Sequence, residues 1–557
     1  MEKNSATSNT IQREWWKEAI IYQIYPRSFK DGNGDGIGDL NGIITKLPYL
    51  KALGVDVLWL SPCFKSPNAD NGYDVSDYED IMDEFGTMAD FDNLLHEIHE
   101  LGMKLILDLV VNHSSDEHRW FKEARKSKDN PYREFYIWRD EPNDWISFFS
   151  GSAWTLDPLT GQYYLHLFVA KQPDLNWENP ALRQEIYKMM RFWLDKGVDG
   201  FRMDVIPFLS KDTTFADFPE GRKNDLTYYA NGPKIHDYLQ EMNAEVLSRY
   251  DCLTVGEGFG VNARQANLYV GKNRRELQMI YHFDHAVPRG EEHFITPAPE
   301  FNVLQLKAIF SKWDTALGDD GWQNIYWGNH DNPRVLSRFG DVGAYRIESA
   351  KMLATLLLTL RGTPSIYQGD ELGMTNCPFE NMEEYDDIQV KNAYQSLVFG
   401  QKKEASTFIK ACNQIARDHA RTPMQWTDAE NAGFTAGKKS WLKLNPNYRY
   451  INAAQAQNDP NSVYHYYRSL IQFRKENPVL VYGNYEDLLP DDPYLWAFRR
   501  SLEDFSLTIV ANFCGEIQPF PLLSPGEKTS LLIGNYNEEG VKDALRPYEV
   551  RVLSCWE

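Results

Sequence analysis

ALRQEIYKMMRFWLDKGVDGFRMD, residues 181–204, contains a helix, a stop and a strand in that order. Up to Gly197 the apolar side chains recur at helical spacing, and a glycine is the easiest residue with which to end a helix. GVDGFRMD then reads as a short apolar strand that ends on a carboxylate, Asp204. A helix that delivers its chain straight into a buried strand is half of a parallel βαβ unit.

The same unit recurs outward from this stretch. Strand-like runs AIIYQIYP, VDVLWLSP, KLILDLVV, GVDGFRMD, CLTVGE, LQMIYHFD, NIYWGNHD and GTPSIYQGDE alternate with amphipathic stretches such as MADFDNLLHEIHELG between about Ile20 and Lys475. Eight such strands predict an α/β fold, a (β/α)8 TIM barrel whose chemistry sits at the carboxyl ends of the strands. The rhythm breaks after the third strand, where residues 109–178 are rich in aromatics and turn residues and are expected to form an inserted subdomain. The barrel is thus expected over 11–108 and 179–484. A second long polar stretch, from about Asn376 to Lys443, should wall the other side of the cleft. From residue 485 the pattern changes to YLWAFRRS, SLTIVANF and EVRVLSCWE, separated by Gly, Pro and Asp, which predicts a C-terminal antiparallel β domain over 485–557.

Composition limits the partners. The 557 residues carry 58 Lys and Arg against 80 Asp and Glu, a net charge of −22 that repels phosphate backbones and anionic lipid. Nucleic acid and membrane surfaces are not expected partners, and the chain is read as a monomer. The start, MEKNSATSNTIQREWW, shows no basic and then apolar leader, and the apolar run near Leu353 is too short to span a bilayer, so a cytoplasmic protein is expected. Six scattered cysteines show no metal or redox spacing and are read as reduced.

Three strand-like runs end in carboxylates: GFRMD at Asp204, TVGE at Glu257 and WGNHD at Asp331. One such residue usually caps the next helix. A set of three supplies what cleavage of an acetal needs, namely a carboxylate facing the anomeric carbon and an acid for the leaving oxygen. Arg202, two residues before Asp204, points to the same face and would keep that carboxylate ionised.

DLVVNHSS, GFRMDV, VGEGFG and WGNHD, in this order and spacing, make the chain resemble glycoside hydrolase family 13, the α-amylase superfamily. Together with QPDLNWENP they are similar to its oligo-1,6-glucosidase and neutral α-glucosidase branch. The resemblance covers nearly the whole length. It implies Asp204 as nucleophile, Glu257 as acid and then base with a raised pKa, and Asp331 orienting the sugar with His113 and His330. Asp108 would brace the pocket around Arg202 and His113. It further implies that Asp70, from DNGYD, pairs with Arg421, from RTPMQW, to bind the terminal glucose and close the pocket, giving exo-action. Tyr73 would stack on that ring, although a core role is equally open to it. Val205, after the nucleophile, resembles α-1,6-preferring relatives.

Phe259 departs from that branch and resembles the aromatic of sucrose isomerases, whereas FDHAVPRGEEH lacks their RLDRD signature. Hydrolysis is therefore expected, with sucrose isomerisation or transglucosylation as the alternative. A remoter alternative, a non-catalytic partner of a transporter, would lack a carboxylate or carry a membrane span, and neither is so here. DGNGDGIGDL offers Asp31, Asn33, Asp35, the carbonyl of Ile37 and Asp39 on a Gly-rich turn, oxygen donors suited to structural Ca²⁺, or Mg²⁺. No organic cofactor is indicated.

Overall fold

The computed structural model describes residues 13–221, 225–287, 291–296, 301–520, 528–536 and 543–556. The first twelve residues, on which the leader reading rests, lie outside them.

All eight expected strands form, each shorter than its apolar run: β1 Ile21–Ile24, β2 Val57–Leu60, β3 Lys104–Leu109, β4 Gly200–Met203, β5 Leu253–Glu257, β6 Met279–Tyr281, β7 Asn324–Tyr326 and β8 Thr363–Tyr367. They pair in parallel in the order β6-β5-β4-β3-β2-β1-β8-β7. A bridge from Ile280 to Gln323 joins the two outer strands and closes the barrel. Register sets the site before any side chain is considered. Asp108 lies opposite Arg202, Gly256 opposite Met203 and Glu257 opposite Tyr281, so the polar strand ends gather within two residues of one another at the same end of the barrel. Gly200 is required where β4 meets β5, because its φ is +147° and a Cβ there would sit 2.0 Å from the Leu253 carbonyl oxygen.

The helix expected before β4 spans Pro180–Lys196, with the Asn179 side chain accepting from the Ala181 amide at its start and Gly197 in a left-handed conformation at its end. It buries Leu182, Ile186, Tyr187, Met189, Met190, Trp193 and Leu194. Removing such a stripe from water contributes on the order of 10 kcal/mol, which fixes the helix on the barrel and β4 with it.

Between β3 and this helix, the strands Trp138–Arg139, Trp154–Leu156 and Tyr163–Leu165 form a small antiparallel sheet, the expected insertion. A bridge from His113 to Asp174 ties its ends together beside the barrel. After β8 come the helices Ile388–Tyr394, Ala405–Ile415 and Asp418–Arg421, within the stretch read as a second wall. At the C-terminus, strands Asn484–Asp487, Leu495–Leu502, Phe505–Asn512, Val550–Trp556 and Lys528–Gly534 pair antiparallel in that spatial order. Buried Arg500 joins this sheet to the barrel by donating to the carbonyls of Thr359, Leu480 and Gly483. Among the described residues no helix is long and apolar enough to cross a membrane. Cys63, Cys252, Cys377, Cys412 and Cys514 are free thiols.

Candidate active site

The site is organised around one guanidinium. Arg202, on β4 and without solvent exposure, donates through Nη1 to Asp108 at 2.6 Å and to Asp204 at 2.8 Å, and through Nη2 to Glu257 at 2.6 Å. The hydroxyl of Tyr281, at the end of β6, receives Nε and Nη2 at 3.0 and 2.8 Å. Three carboxylates from three adjacent strands share one cation, as the register dictates. Burial lifts both Asp108 and Asp204 above the ordinary aspartate range, and Arg202 is the main influence pulling them back down.

Immediately after Asp204 the backbone is strained. Val205 is β-branched and buried, yet has φ +34° and ψ +42°. A left-handed conformation of this kind costs on the order of 1–3 kcal/mol. It aims the Val205 amide at the Glu257 carboxylate, 2.8 Å away. Strain in the residue after Asp204 thus helps to orient the Glu257 carboxylate.

Asp331 stands differently from the expectation of a strand-end residue. β7 stops at Tyr326, and the loop Trp327–Asp331 carries the carboxylate onward. There its Oδ1 accepts from Arg417 Nη1 at 3.1 Å and Arg421 Nη2 at 3.0 Å. His330 stacks on Tyr73, with ring centroids 5.3 Å apart, and its Nε2 lies 2.7 Å from the Tyr73 hydroxyl. Gln23, from β1, holds its Nδ1 at 2.8 Å. Burial pushes His330 down to about 3, so it works as a neutral hydrogen-bonding ring. His113 is likewise pushed down to about 4 by burial.

One expected pairing is corrected. Asp70 meets Arg417, whose Nη2 is 3.6 Å from its Oδ1, whereas Arg421 turns to Asp331 and to the carbonyl of His330. Asp108 contacts Arg202, Tyr73 and Trp59 directly, and His113 contacts the carbonyl of the same Tyr73 and Gln172. Burial pushes Asp70 up to about 7, with Arg417 the largest opposing influence. Its Oδ1 has no hydrogen-bond partner, leaving an acceptor for an incoming hydroxyl.

Together Asp70, Tyr73, His113, Asp204, Val205, Glu257, Asp331 and Arg417, with Phe149 and Phe168, line one narrow pocket. Arg417, Tyr281, Gln23 and the two phenylalanines were not singled out from the sequence. Tyr281 could have been, since it faces Glu257 in register; Arg417 could not be ranked above Arg421. Phe259 packs in an aromatic cluster with Val205 behind the pocket, its ring 5.1 Å from Phe283 and 5.6 Å from Phe208. Residues 288–290 of FDHAVPRGEEH lie outside the described residues.

The Gly-rich turn packs on segment 434–441, through Asp31 N to the Phe434 carbonyl and Trp441 N to the Gly36 carbonyl. Asp31 accepts from the Gly34 and Gly36 amides, Asp35 from Ile37, and Asp39 from Gly32, Asn33 and Gly42. Among the described residues no three His, Cys, Asp or Glu side chains are arranged to hold a metal. The donor chemistry of the loop is that of a hard-cation site: carboxylate, amide and carbonyl oxygens, without nitrogen or sulfur ligands.

Comparison with known proteins gives the chain a family. Residues 23–483 match the family model of the α-amylase catalytic domain. The chain is 54% identical to the oligo-1,6-glucosidase of Parageobacillus thermoglucosidasius, covering 97% of this chain and 99% of that one, and 52% identical to that of Bacillus cereus, covering 98% and 100%. It superposes on an isomaltulose synthase mutant from Erwinia rhapontici NX5, solved with sucrose, with a TM-score of 0.94 at 46% identity, covering 98% and 100%.

Proposed function

The chain belongs to the α-amylase family and is a glycoside hydrolase, and from that premise we propose that it is a retaining, exo-acting α-glucosidase that releases glucose from short α-1,6-linked glucosides. The observation that carries this reading is the Arg202 guanidinium, which binds Asp204 and Glu257 on adjacent nitrogens. Carboxylates so joined suit direct attack, for which retaining enzymes hold them about 5–5.5 Å apart, rather than the wider spacing that admits a water between them. Asp204 attacks the anomeric carbon while Glu257 gives its proton to the leaving oxygen. Glu257, now ionised, takes a proton from water as the water displaces Asp204.

Asp70, Arg417 and Asp331 block the inner end of the pocket and offer charged partners to the hydroxyls of one terminal ring, which supports exo-action. Val205 beside Asp204, and the oligo-1,6-glucosidases among the relatives, support the α-1,6 preference. A second reading, sucrose isomerisation or glucosyl transfer, is favoured by the Phe259–Phe283 pair, which could shelter a released ketose from water. The intact carboxylate set speaks against a non-catalytic partner.

We also propose that Asp31, Asn33, Asp35, Asp39 and the Ile37 carbonyl hold a structural Ca²⁺, for which Mg²⁺ could substitute. When bound, the ion would supply positive charge to the turn and no chemistry to the pocket.

The test is product analysis after incubation with isomaltose, panose, maltose and sucrose, with Asp204→Asn as control. Glucose released from isomaltose faster than from maltose, and abolished in the control, is the expected result. Isomaltulose or trehalulose from sucrose with little free glucose overturns it.

A further inference from the structure

Asp387 lies outside the pocket and has no solvent exposure. Its carboxylate grips Arg417 at two points, taking Nε at 2.9 Å through Oδ2 and Nη2 through Oδ1. Such a fork-to-fork pairing fixes the plane of a guanidinium as well as its position. The grip is reciprocal: Asp418, next to Arg417, accepts the amides of Asp386 and Asp387 on one oxygen at 2.8 and 3.0 Å. Two neighbouring pairs, 386–387 and 417–418, are thus locked to each other across about thirty residues of chain.

The helix that Asp387 starts adds a second anchor. Asn392 on that helix donates to the Phe149 carbonyl at 3.0 Å, and the Phe149 ring lies 5.0 Å from the Arg417 guanidinium. Arg417 is therefore held on one side by Asp387 and covered on another by Phe149. Nη1 is left for Asp331, and Nη2 is directed toward Asp70.

We propose that Asp387 is the positioning residue that sets Arg417 between Asp70 and Asp331, and so sets the enzyme's affinity for a terminal glucosyl group. The proposal rests on the glucosidase reading and deepens it. The competing role for Asp387 is to cap its helix, since its side chain also accepts the Gln389 amide at 2.9 Å. Asparagine caps a helix as well as aspartate does. Asp387→Asn therefore keeps the cap and removes the carboxylate.

The experiment is steady-state hydrolysis of 4-nitrophenyl α-glucoside by wild type and D387N, with thermal midpoints and competitive inhibition by glucose measured alongside. Loss of one charge-assisted hydrogen bond should raise KM and the glucose inhibition constant about 10-fold or more, with a smaller change in kcat, when both are read well below the lowered thermal midpoint that breaking a buried ion pair brings. Unchanged KM, or a kcat that falls only in step with the folded fraction, overturns the proposal. If the wild type releases no nitrophenol, the glucosidase reading is what fails. The crystal structure of D387N then decides the positioning role alone: Arg417 displaced from Asp331 supports it, and Arg417 in place refutes it.

Discussion

Replacing Arg202 by methionine removes the cation that Asp108, Asp204 and Glu257 share and keeps a side chain of similar length. Breaking a buried ion pair from one side typically costs about 3–5 kcal/mol, because the remaining charge is stranded. Here the carboxylates have an escape, since they can take up protons. Burial already holds Asp108 and Asp204 at about 6 with Arg202 present, and Arg202 is what keeps them from rising further. A carboxyl whose folded pKa lies above its unfolded value binds more protons folded than unfolded, so stability falls as pH rises from the unfolded value to the folded one. In R202M that window extends above 6. Its loss of thermal midpoint relative to wild type should therefore be small at pH 5 and large at pH 8, measured by circular dichroism. At neutral pH kcat/KM should fall by at least about 10³-fold, from two lost charged hydrogen bonds and a protonated nucleophile. R202K should recover stability at pH 8 but little activity, because an ammonium cannot serve three carboxylates and Tyr281 in one plane. An equal loss of thermal midpoint at pH 5 and pH 8 in R202M would refute this reasoning.

Two other outcomes follow from the same charges and from the Gly-rich turn. The acid limb of kcat/KM should have its midpoint near 6, because Asp204 as the proposed nucleophile must be ionised to attack, and D108N should move it lower by removing a neighbouring negative charge; a wild-type midpoint at the ordinary aspartate value contradicts the burial argument. Chelation with EDTA should lower the thermal midpoint while kcat measured below that midpoint stays constant, and added Ca²⁺ should restore it. An Asp35→Ala variant that still responds to chelation would place the ion elsewhere.

The barrel was legible because each strand-and-helix unit announces itself locally. GVDGFRMD carries its own stop, apolar run and terminal charge, and the same holds for CLTVGE. Parallel register then sets Asp108 opposite Arg202, and Glu257 one residue past the Gly256–Met203 pair, beside Asp204, without further information. What the sequence could not carry was contact made by loops. WGNHD reads as one strand, yet β7 ends at Tyr326 and leaves Asp331 on an irregular segment whose direction depends on Arg417 and Arg421. Val205 would pass for an ordinary strand residue by type, since β-branched residues favour extended backbone. Only the observed dihedrals reveal that it turns its amide onto Glu257.

The choice between the two arginines shows where such reasoning stops. Arg417 and Arg421 are four residues apart on a short helical turn, so they project from one face and can reach the same partner. Both in fact touch Asp331. Spacing therefore predicts that an arginine closes the pocket but cannot say which one reaches Asp70. The difference is made by Asp387, which arrives from thirty residues upstream and takes two nitrogens of Arg417, while Arg421 is occupied by the His330 carbonyl. A pairing fixed by a third residue from another part of the chain leaves no trace in the local motif. It follows that RTPMQW marks this wall of the pocket without containing the residue that meets Asp70.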